Sequence, residues 1–314
     1  MGAPQRRAVA PPVGVLPCVV LKAEWQTQFV NMDGVARAIA VVTLIAAELD
    51  LAVEDVALIQ NSNKLGLRLL PCDVFARVAV IGEEVAALEV EVAQQLVAAA
   101  APVVALEARL EQRVYERNGF AVTFWTFYNA NSSDQRSPAD YAHVLQRLHA
   151  GMRNIDVPAP RFTDRIDEAL RLVEDHDRTP ALDSAGRELL LGTLASARRK
   201  IDHFGAAEQL LHGEPHPGNM LNTTNGLLFI DLETCCRGPV EFDAAHLPSE
   251  VTDHYLELDQ DLLNECRRLV LAMVAAWRWD VHDQFPDGLR HGRTILELLR
   301  SGPPWPTLGS LGSE

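Results

Sequence analysis

The residues best suited to chemistry lie in one short stretch of the chain. It begins with His-Gly-Glu-Pro-His-Pro-Gly-Asn at residues 212–219, which follows a short apolar run. A second apolar run, at residues 227–230, ends at Asp231. Two short strands with polar residues at their ends predict a hairpin that presents Glu214, Asn219 and Asp231 together. Two carboxylates and an amide oxygen are hard donors, which suit Mg²⁺ together with the phosphates of a nucleotide.

The two histidines of this stretch, together with Glu214, also raise the hypothesis of a zinc hydrolase. Helical zinc sites with the pattern His-Glu-x-x-His place both histidines on one face of a helix, one turn apart. His212 and His216 are instead separated by a segment that contains Pro215. A Pro-containing loop cannot place them as a helix does, so the spacing disfavours zinc.

The stretch resembles the catalytic loop of the aminoglycoside phosphotransferase-like kinases, His-Gly-Asp-x-His-x-x-Asn. Residues 230–233, 238–239 and 242–245 resemble the metal-binding aspartate segment of that family and the helix after it, and residues 145–149 resemble its Leu-x-x-Leu-His helix end. These pieces match in order and spacing over roughly residues 55–300. The resemblance implies an α+β, bilobal protein-kinase-like fold with ATP between the lobes. The N-terminal lobe would be small and β-rich with one main helix, and the C-terminal lobe larger and mostly helical.

The resemblance assigns roles to three residues of the stretch. Asn219 and Asp231 would hold magnesium on the β- and γ-phosphates. Glu214 would be the catalytic base that accepts the proton of the attacking hydroxyl. The family normally has Asp at this position, and the Glu side chain reaches further by about 1.5 Å. The substitution keeps a carboxylate, but it leaves a slow or inactive site open as an alternative.

A second departure from the family lies on the third strand of the small lobe. The family usually has a Lys there, which contacts the α- and β-phosphates and is braced by a Glu on the next helix. Arg77 occupies the position of that Lys and offers a planar fork in place of a point charge; the alternative is a solvated strand residue. Glu91 matches the bracing Glu best, and Glu89 is the alternative on another face of the same helix.

Further nucleotide contacts are expected from a loop and from the interlobe linker. The sequence has no Gly-x-Gly-x-x-Gly loop, and residues 61–66 stand where the phosphate-covering hairpin belongs. There, backbone N–H groups near Asn63 and the charge of Lys64 would meet the phosphates, with an ordinary exposed lysine as the alternative for Lys64. The backbone of the linker, residues 124–128, would hydrogen-bond the edge of the adenine, and its aromatic rings would pack against the base. For each ring, packing in the core is the alternative. The rings assigned to the base are Trp125 and Phe127.

Four neighbouring residues are expected to organise the site. By resemblance, His212 holds the loop through hydrogen bonds, and Asp243 anchors the loop or caps the following helix. His216 would be a structural partner or lie near the substrate. Glu233 would lie behind the metal ligands, contact the substrate or simply face solvent.

Hydrophobic periodicity predicts the elements that position these residues. The first half is predicted to contain a helix from Asn31 or Asp33 to about Leu49, strands at Val56–Gln60, Leu65–Leu70 and Val74–Ile81, a helix from Glu83 to about Ala100, and strands at Val103–Leu106 and Ala121–Tyr128. The second half is predicted to be helical at Ser137–His149, Thr163–Glu174, Ser184–Phe204, Gln260–Trp279 and Leu289–Arg300.

These patterns divide the 314 residues into five segments. We expect an N-terminal extension (1–26), a nucleotide-binding lobe (27–123), an interlobe linker (124–128), a catalytic and substrate lobe (129–301) and a flexible tail (302–314).

Composition excludes several other classes of protein. With 48% hydrophobic residues the chain can bury sizeable cores, and its formal net charge of −15 disfavours general nucleic-acid binding. Five cysteines without a Cys-x-x-Cys pair indicate reduced thiols, and no charge-free apolar run reaches the ~18 residues of a membrane span. We therefore expect a cytoplasmic monomer or homodimer that binds neither nucleic acid nor membrane.

The expected function is transfer of the γ-phosphate of ATP or GTP, with Mg²⁺, to a hydroxyl of a small molecule. The first candidate acceptor is an antibiotic such as an aminoglycoside. Between Gly238 and Cys266 there are eight acidic residues and no Lys or Arg, and the acidic residues form a solvated face or a field that favours an amine-bearing acceptor. The alternatives are a weakened, nucleotide-binding pseudokinase and a metabolic kinase of sugars or amino alcohols.

Overall fold

The computed structural model describes residues 32–61, 64–81, 85–130 and 136–308. The expected N-terminal extension, residues 1–26, and the candidate phosphate contact Asn63 lie outside the described residues.

The N-terminal lobe is built on a five-stranded antiparallel sheet in the order β1-β2-β3-β5-β4. One face of this sheet packs against helix α1, because alternate residues such as Leu67, Ala76 and Phe124 point toward it and are buried. The strands are β1 (Val53–Asn61), β2 (Leu65–Pro71), β3 (Val74–Val80), β4 (Tyr115–Arg117) and β5 (Phe120–Thr126), and the helices of this lobe are α1 (Met32–Glu48) and α2 (Val85–Ala98).

The other face of the sheet looks toward α2 and the C-terminal lobe. Strand β3 lies between β2 and β5, and Arg77 stands opposite Gly66 on one side and Thr123 on the other. Because side chains alternate along a strand, Arg77 points away from the α1 face. The pairing of β3 with β2 and β5 therefore places the positive charge of Arg77 between the two lobes.

One predicted strand of this lobe is wrong. Residues 103–106 form only two isolated bridges. One is to Phe229 in the C-terminal lobe and the other is to Trp125 in the sheet of the N-terminal lobe, so this segment contacts both lobes. The remaining strand of the sheet is β4 instead, which lies between the segments predicted as strands at residues 103–106 and 121–128. A strand of three residues is too short to show a period-2 pattern, which explains why the sequence did not reveal it.

The C-terminal lobe is mostly helical, and its predicted helices are confirmed to within three residues at each end. Its largest core lies where α4, α5, α8 and α9 pack together. The helices are α3 (Pro138–Met152), α4 (Phe162–Glu174), α5 (Ser184–Phe204), α6 (Val240–Ala244), α7 (Ser249–Thr252), α8 (Gln260–Arg278) and α9 (Gly288–Ser301).

Four short strands interrupt the helices and carry the segment that we singled out for chemistry. The predicted hairpin is present as β7 (Met220–Thr223) and β8 (Gly226–Phe229). Strands β6 (Gln209–Leu211) and β9 (Cys236–Gly238) pair beside it. Residues 212–219 leave β6 and enter β7, so both strand pairs fix the ends of this loop.

The segment after α9 packs on the C-terminal lobe as far as it is described. Leu308 is buried in the main core of this lobe, and Trp305 packs against the same core. This contact differs from the expectation of a flexible tail from residue 302 onward. Among the helices that the structure describes, none is both long and apolar enough to cross a membrane.

Candidate active site

The candidate catalytic loop, residues 212–219, depends on a glycine at its second position. Gly213 has φ +88°, a conformation that favours glycine. A Cβ atom at this position would lie 1.9 Å from the backbone carbonyl oxygen of Thr234. The loop can therefore lie directly on the segment that follows Asp231 only because residue 213 has no side chain.

Asp243, on the short helix α6, anchors the backbone of this loop. Its buried carboxylate accepts hydrogen bonds from the backbone N–H groups of His212 (2.9 Å) and Gly213 (2.8 Å). It also accepts one from Nε2 of His149 (2.9 Å). Burial alone would raise the pKa of Asp243, but the hydrogen bond from His149, followed by the charge of that ring, outweighs burial and lowers this pKa. Asp243 is therefore an ionised anchor.

The two histidines of the loop both make hydrogen bonds to backbone atoms. Nε2 of His212 lies 3.0 Å from the carbonyl oxygen of Ile230, and its Nδ1 accepts from the backbone N–H of Glu214 at 3.4 Å. Nδ1 of His216 accepts from the backbone N–H of Gly218 at 3.0 Å. His212 thus ties the loop to the residue that precedes Asp231.

The two candidate cation ligands lie at the same end of the β7–β8 hairpin. The carbonyl oxygen of Asn219 accepts from the backbone N–H of Ile230 at 3.0 Å, so Asn219 lies beside the residue before Asp231. The side-chain Nδ2 of Asn219 donates to the backbone oxygen of Glu214 at 3.0 Å. This hydrogen bond orients the amide so that Oδ1 is its acceptor atom.

This pair of oxygen donors fits Mg²⁺ better than zinc. Within the described residues, no group of three or more His, Cys, Asp or Glu side chains could hold a metal ion. Mg²⁺ commonly binds through one or two protein ligands and completes its shell with water and substrate phosphates. Asn219 and Asp231 would supply those two ligands. A zinc hydrolase would require about three His, Cys, Asp or Glu ligands around one point, and the described part of the chain has no such group.

Arg77 joins the two lobes at this point. Its Nη2 donates to Oδ1 of Asp231 (2.6 Å) and to Oε2 of Glu233 (3.1 Å), and its Nη1 forms an ion pair with Glu89. The prediction that Glu91 braces Arg77 is wrong, because Glu91 is exposed and Glu89 is buried on α2. Residues two apart on a helix lie about 200° apart, so only one of them can face β3.

Lys64 adds a second positive charge to this cluster. It is buried, and it forms an ion pair with Glu233. Glu233 therefore lies between Lys64 and Arg77, which rules out a plain surface role for it. Two cations and three carboxylates meet where the phosphates of a nucleotide are expected.

The aromatic rings assigned to the adenine base occupy different environments. Trp125 is buried in a core formed with α2, α3 and the β7–β8 hairpin, and its Nε1 donates to Oγ1 of Thr123 at 2.8 Å. The core alternative therefore holds for this ring, and its assignment to the base is wrong. Phe127 is half-buried, and the guanidinium of Arg68 lies 3.9 Å from the centre of its ring. Phe127 remains an aromatic surface at the linker.

Glu214, the candidate base, points into the C-terminal lobe and meets a residue that sequence analysis missed. Arg165 on α4 forms an ion pair with its carboxylate, and Nη1 of Arg165 donates to the carbonyl oxygen of Gly213 at 3.3 Å. Nothing in the sequence marks Arg165, because it is one of several charged residues on an amphipathic helix. Glu214 also lines a small cavity of about 10 Å³, room for one water molecule. Its other lining residues are His246, Val270, Met273, Val274, Trp277 and Arg278.

His246, which lines this cavity, is unsuited to act as a base near neutral pH. Burial, followed by the positive charge of Arg165, lowers the pKa of His246 to about 4. Its Nδ1 hydrogen-bonds the carbonyl oxygen of Phe242 at 2.9 Å. A general base works best with a pKa close to the working pH, so the ring is a neutral structural group.

The fold and the loop geometry agree with a comparison against protein families. The model of the phosphotransferase enzyme family, APH, matches residues 73–279, which is about two thirds of the chain. The chain belongs to this family. It is therefore an aminoglycoside phosphotransferase-like, small-molecule phosphotransferase, and the predicted family is confirmed. No curated protein matches the sequence significantly.

Solved structures of small-molecule kinases share the fold of the APH-family chain. Amicoumacin kinase hAmiN, in complex with AMP-PNP, Ca²⁺ and Ami, is 14% identical, with a TM-score of 0.66 over 89% of this chain and 99% of that one. The GDP and kanamycin complex of APH(2″)-IIIa is 17% identical, with a TM-score of 0.62 over 84% and 99%. A choline/ethanolamine kinase family protein from Mesorhizobium loti is 15% identical, with a TM-score of 0.62 over 87% and 96%. The kinase-like fold class is thereby confirmed.

Proposed function

We propose that this phosphotransferase moves the γ-phosphate of ATP or GTP, with Mg²⁺, to a hydroxyl group of an antibiotic-like small molecule. One observation carries the proposal. The oxygen donors Asn219 and Asp231 lie at one end of the β7–β8 hairpin, and Arg77 reaches Asp231 from the other lobe at 2.6 Å. A carboxylate, Glu214, stands on the same loop as Asn219.

These residues supply what phosphoryl transfer requires. The reaction has little need of covalent chemistry from the protein, and it depends on positioning and on neutralising charge. Asn219 and Asp231 would hold Mg²⁺, which would neutralise charge on the β- and γ-phosphates. Lys64 and Arg77 would neutralise phosphate oxygens from the N-terminal lobe, and Glu214 would accept the proton of the acceptor hydroxyl.

Nucleotide binding would exchange partners within the cluster around Arg77. Asp231 is bound to Arg77 in the structure, and Glu233 is bound to both Arg77 and Lys64. A cation on Asp231 would replace the positive charge of Arg77 there, and a phosphate oxygen would replace the carboxylate beside Arg77. Glu89 can stay paired with Arg77 throughout, because it approaches the guanidinium through Nη1 rather than Nη2.

The charge of the large lobe supports an acceptor that carries amines. Five acidic residues of the stretch between Gly238 and Cys266 are exposed, so they create a negative surface on this lobe. They are Glu250, Asp253, Glu257, Asp259 and Asp261. The neighbouring structures include complexes with kanamycin and spectinomycin, so antibiotics with amino groups are sensible first candidates.

The proposed function is tested by a panel of acceptors. Kanamycin, spectinomycin, choline, ethanolamine and a neutral nucleoside are each incubated with the protein, Mg²⁺ and ATP or GTP, and mass spectrometry measures the gain of one phosphate group. We expect at least one amine-bearing compound to gain phosphate only when Mg²⁺ is present. Transfer that is unaffected by chelation of Mg²⁺ would contradict the proposed role of Asn219 and Asp231.

Substitution of Arg77 tests the proposed phosphate contact. Arg77→Lys keeps the positive charge and is expected to leave Mg-nucleotide affinity unchanged or to improve it, since the family places Lys here. Arg77→Ala leaves Glu89, Asp231 and Glu233 without their shared cation, and we expect nucleotide affinity to fall by roughly tenfold or more, the effect of a charged hydrogen bond. Isothermal titration with Mg-AMP-PNP measures both variants.

A matched control for this test is Arg117→Ala on β4 of the same sheet. Arg117 also pairs with a carboxylate, that of Glu48 at the end of α1, and this pair lies away from Asp231. Its loss should leave the affinity much closer to that of the native protein. Equal affinities of the native protein and of the Arg77→Lys and Arg77→Ala variants would remove Arg77 from the nucleotide site.

A further inference from the structure

The side chain of Glu214 is held by one charged partner deep in the C-terminal lobe. The Glu214 side chain is 9% exposed and the Arg165 side chain is 15% exposed, so their ion pair is largely shielded from water. A shielded pair with a forked guanidinium fixes geometry more firmly than a pair on the surface. The position of the candidate base therefore depends on a residue that lies outside the catalytic loop.

The loop itself fixes only the backbone of Glu214. Asn219 hydrogen-bonds its carbonyl oxygen, and His212 accepts from its N–H group. The side chain has one more rotatable bond than the Asp of the family, so without a partner its carboxylate would sample more positions. Arg165 removes that freedom, because it binds both the carboxylate and the carbonyl oxygen of Gly213.

Arg165 is in turn held by rigid surroundings. It is on α4, where the neighbouring Phe162 packs against Phe242 with ring centres 5.3 Å apart. Its guanidinium carbon lies 5.3 Å from the centre of the Trp277 ring. Phe242 is on the same short helix as Asp243, which anchors the loop. The packing of α4 on α6 thus holds both Arg165, which binds the Glu214 side chain, and Asp243, which anchors the backbone of the loop.

We propose that Arg165 is a positioning residue for Glu214, and that their ion pair fixes the long Glu214 side chain relative to the acceptor hydroxyl. This inference rests on the proposed function, in which Glu214 accepts the proton of the acceptor. Arg165 does not touch the reacting atoms. It acts by keeping the carboxylate of Glu214 at a fixed distance from the acceptor hydroxyl.

The test compares Arg165→Met with Arg165→Lys. A misplacement of about 1 Å can cost on the order of 10²-fold in rate, so we expect kcat of the Met variant to fall by about that factor. The KM for Mg-ATP should not change, because Arg165 contacts the base rather than the phosphate-binding cluster of Arg77 and Asp231. Arg165→Lys keeps the positive charge but loses the forked guanidinium, so its kcat should lie between that of the native protein and that of Arg165→Met. Rates are measured as phosphate transfer to the panel compound that gains phosphate, or as Mg-ATP hydrolysis with water as the acceptor.

Arg198→Met provides a matched control. Arg198 forms an ion pair with Asp167, which is on the same helix as Arg165 and two residues from it, and this pair lies away from the catalytic loop. We expect this variant to keep the native kcat. A native kcat in the Arg165→Met protein would overturn the inference, as would an equal loss in the Arg198→Met protein.

A double-mutant cycle separates this inference from the proposed function. If Arg165 acts through Glu214, Arg165→Met should have little further effect on kcat once Glu214→Gln is present. Additive losses would overturn the inference, even with the base role intact. Full transfer by Glu214→Gln alone would instead overturn the base role, and the inference with it. Should Arg165→Met fail to fold, as judged by its thermal melt, Arg165→Lys enters the same cycle with the same criteria.

Discussion

Asp231→Ala is expected to abolish phosphate transfer while the protein stays folded. Asp231 is the charged member of the proposed Mg²⁺ ligand pair, and a bound cation contributes several kcal/mol to the stabilisation of developing charge. Because about 1.36 kcal/mol corresponds to a factor of ten, we expect a loss on the order of 10³-fold in kcat/KM for the nucleotide. The loss is measured by transfer assays at limiting and at saturating Mg²⁺.

The fold should tolerate this change, since Arg77 keeps Glu89 and Glu233 as partners. Asp73→Ala is a matched control. Asp73 is also an aspartate with positive φ, 60° against 68° for Asp231, and it is also paired with an arginine, Arg68. Both substitutions thus place Ala in the left-handed region and break one ion pair. An Asp231→Ala protein that transfers phosphate at the rate of the Asp73→Ala protein would exclude Asp231 as a ligand.

Gly213→Ala is expected to have the largest effect on stability. A Cβ atom 1.9 Å from the carbonyl oxygen of Thr234 requires a shift of the backbone, because no flexible side-chain end can give way. Such a shift would pull the loop from Asp243 and move the segment after Asp231. We expect a loss of more than about 3 kcal/mol in the free energy of unfolding, and of roughly 10 °C in Tm, together with the loss of transfer.

The control for this prediction is Gly205→Ala at the end of α5. Gly205 also has a positive φ, 59°, but nothing lies within 4 Å of a Cβ atom built there. Gly205→Ala should lower the free energy of unfolding only by the cost of placing Ala in the left-handed region, about 1 kcal/mol. Thermal melts of Gly205→Ala and Gly213→Ala separate the cost of a positive φ from the cost of the steric clash between the Cβ atom and Thr234. Similar melting temperatures for both would show that the loop does not lie as tightly on Thr234 as the structure indicates.

Local patterns were sufficient to predict the parts of the site that follow one another in sequence. Glu214, Asn219 and Asp231 belong to one loop and one hairpin, and the spacing of apolar runs already brought them together. The helices of the C-terminal lobe were equally predictable, because 3.6-residue periodicity over three or more turns is a strong signal. Strand β4 has only three residues, too few to show the alternation of apolar and polar residues that marks a strand.

Contacts between distant segments could not be predicted in the same way. The sequence placed a bracing glutamate on α2, but the choice between Glu89 and Glu91 depends on the rotation of this helix against β3. Trp125 is aromatic whether it faces a base or a core, and only the packing of α2 and α3 shows that it is buried. Arg165 is 49 residues from Glu214 along the chain, so only the tertiary fold reveals their ion pair.

The most direct test of the account is the rate of phosphate transfer by Glu214→Gln. This substitution preserves the size of the side chain and removes the proton acceptor. General base catalysis contributes about 10²–10⁴-fold, and loose phosphoryl-transfer transition states need little early proton removal, so we expect a loss of about 10²-fold in the single-turnover rate. The affinity for Mg-AMP-PNP should be unchanged. A Glu214→Gln protein that transfers phosphate at the native rate would show that Glu214 is not the base.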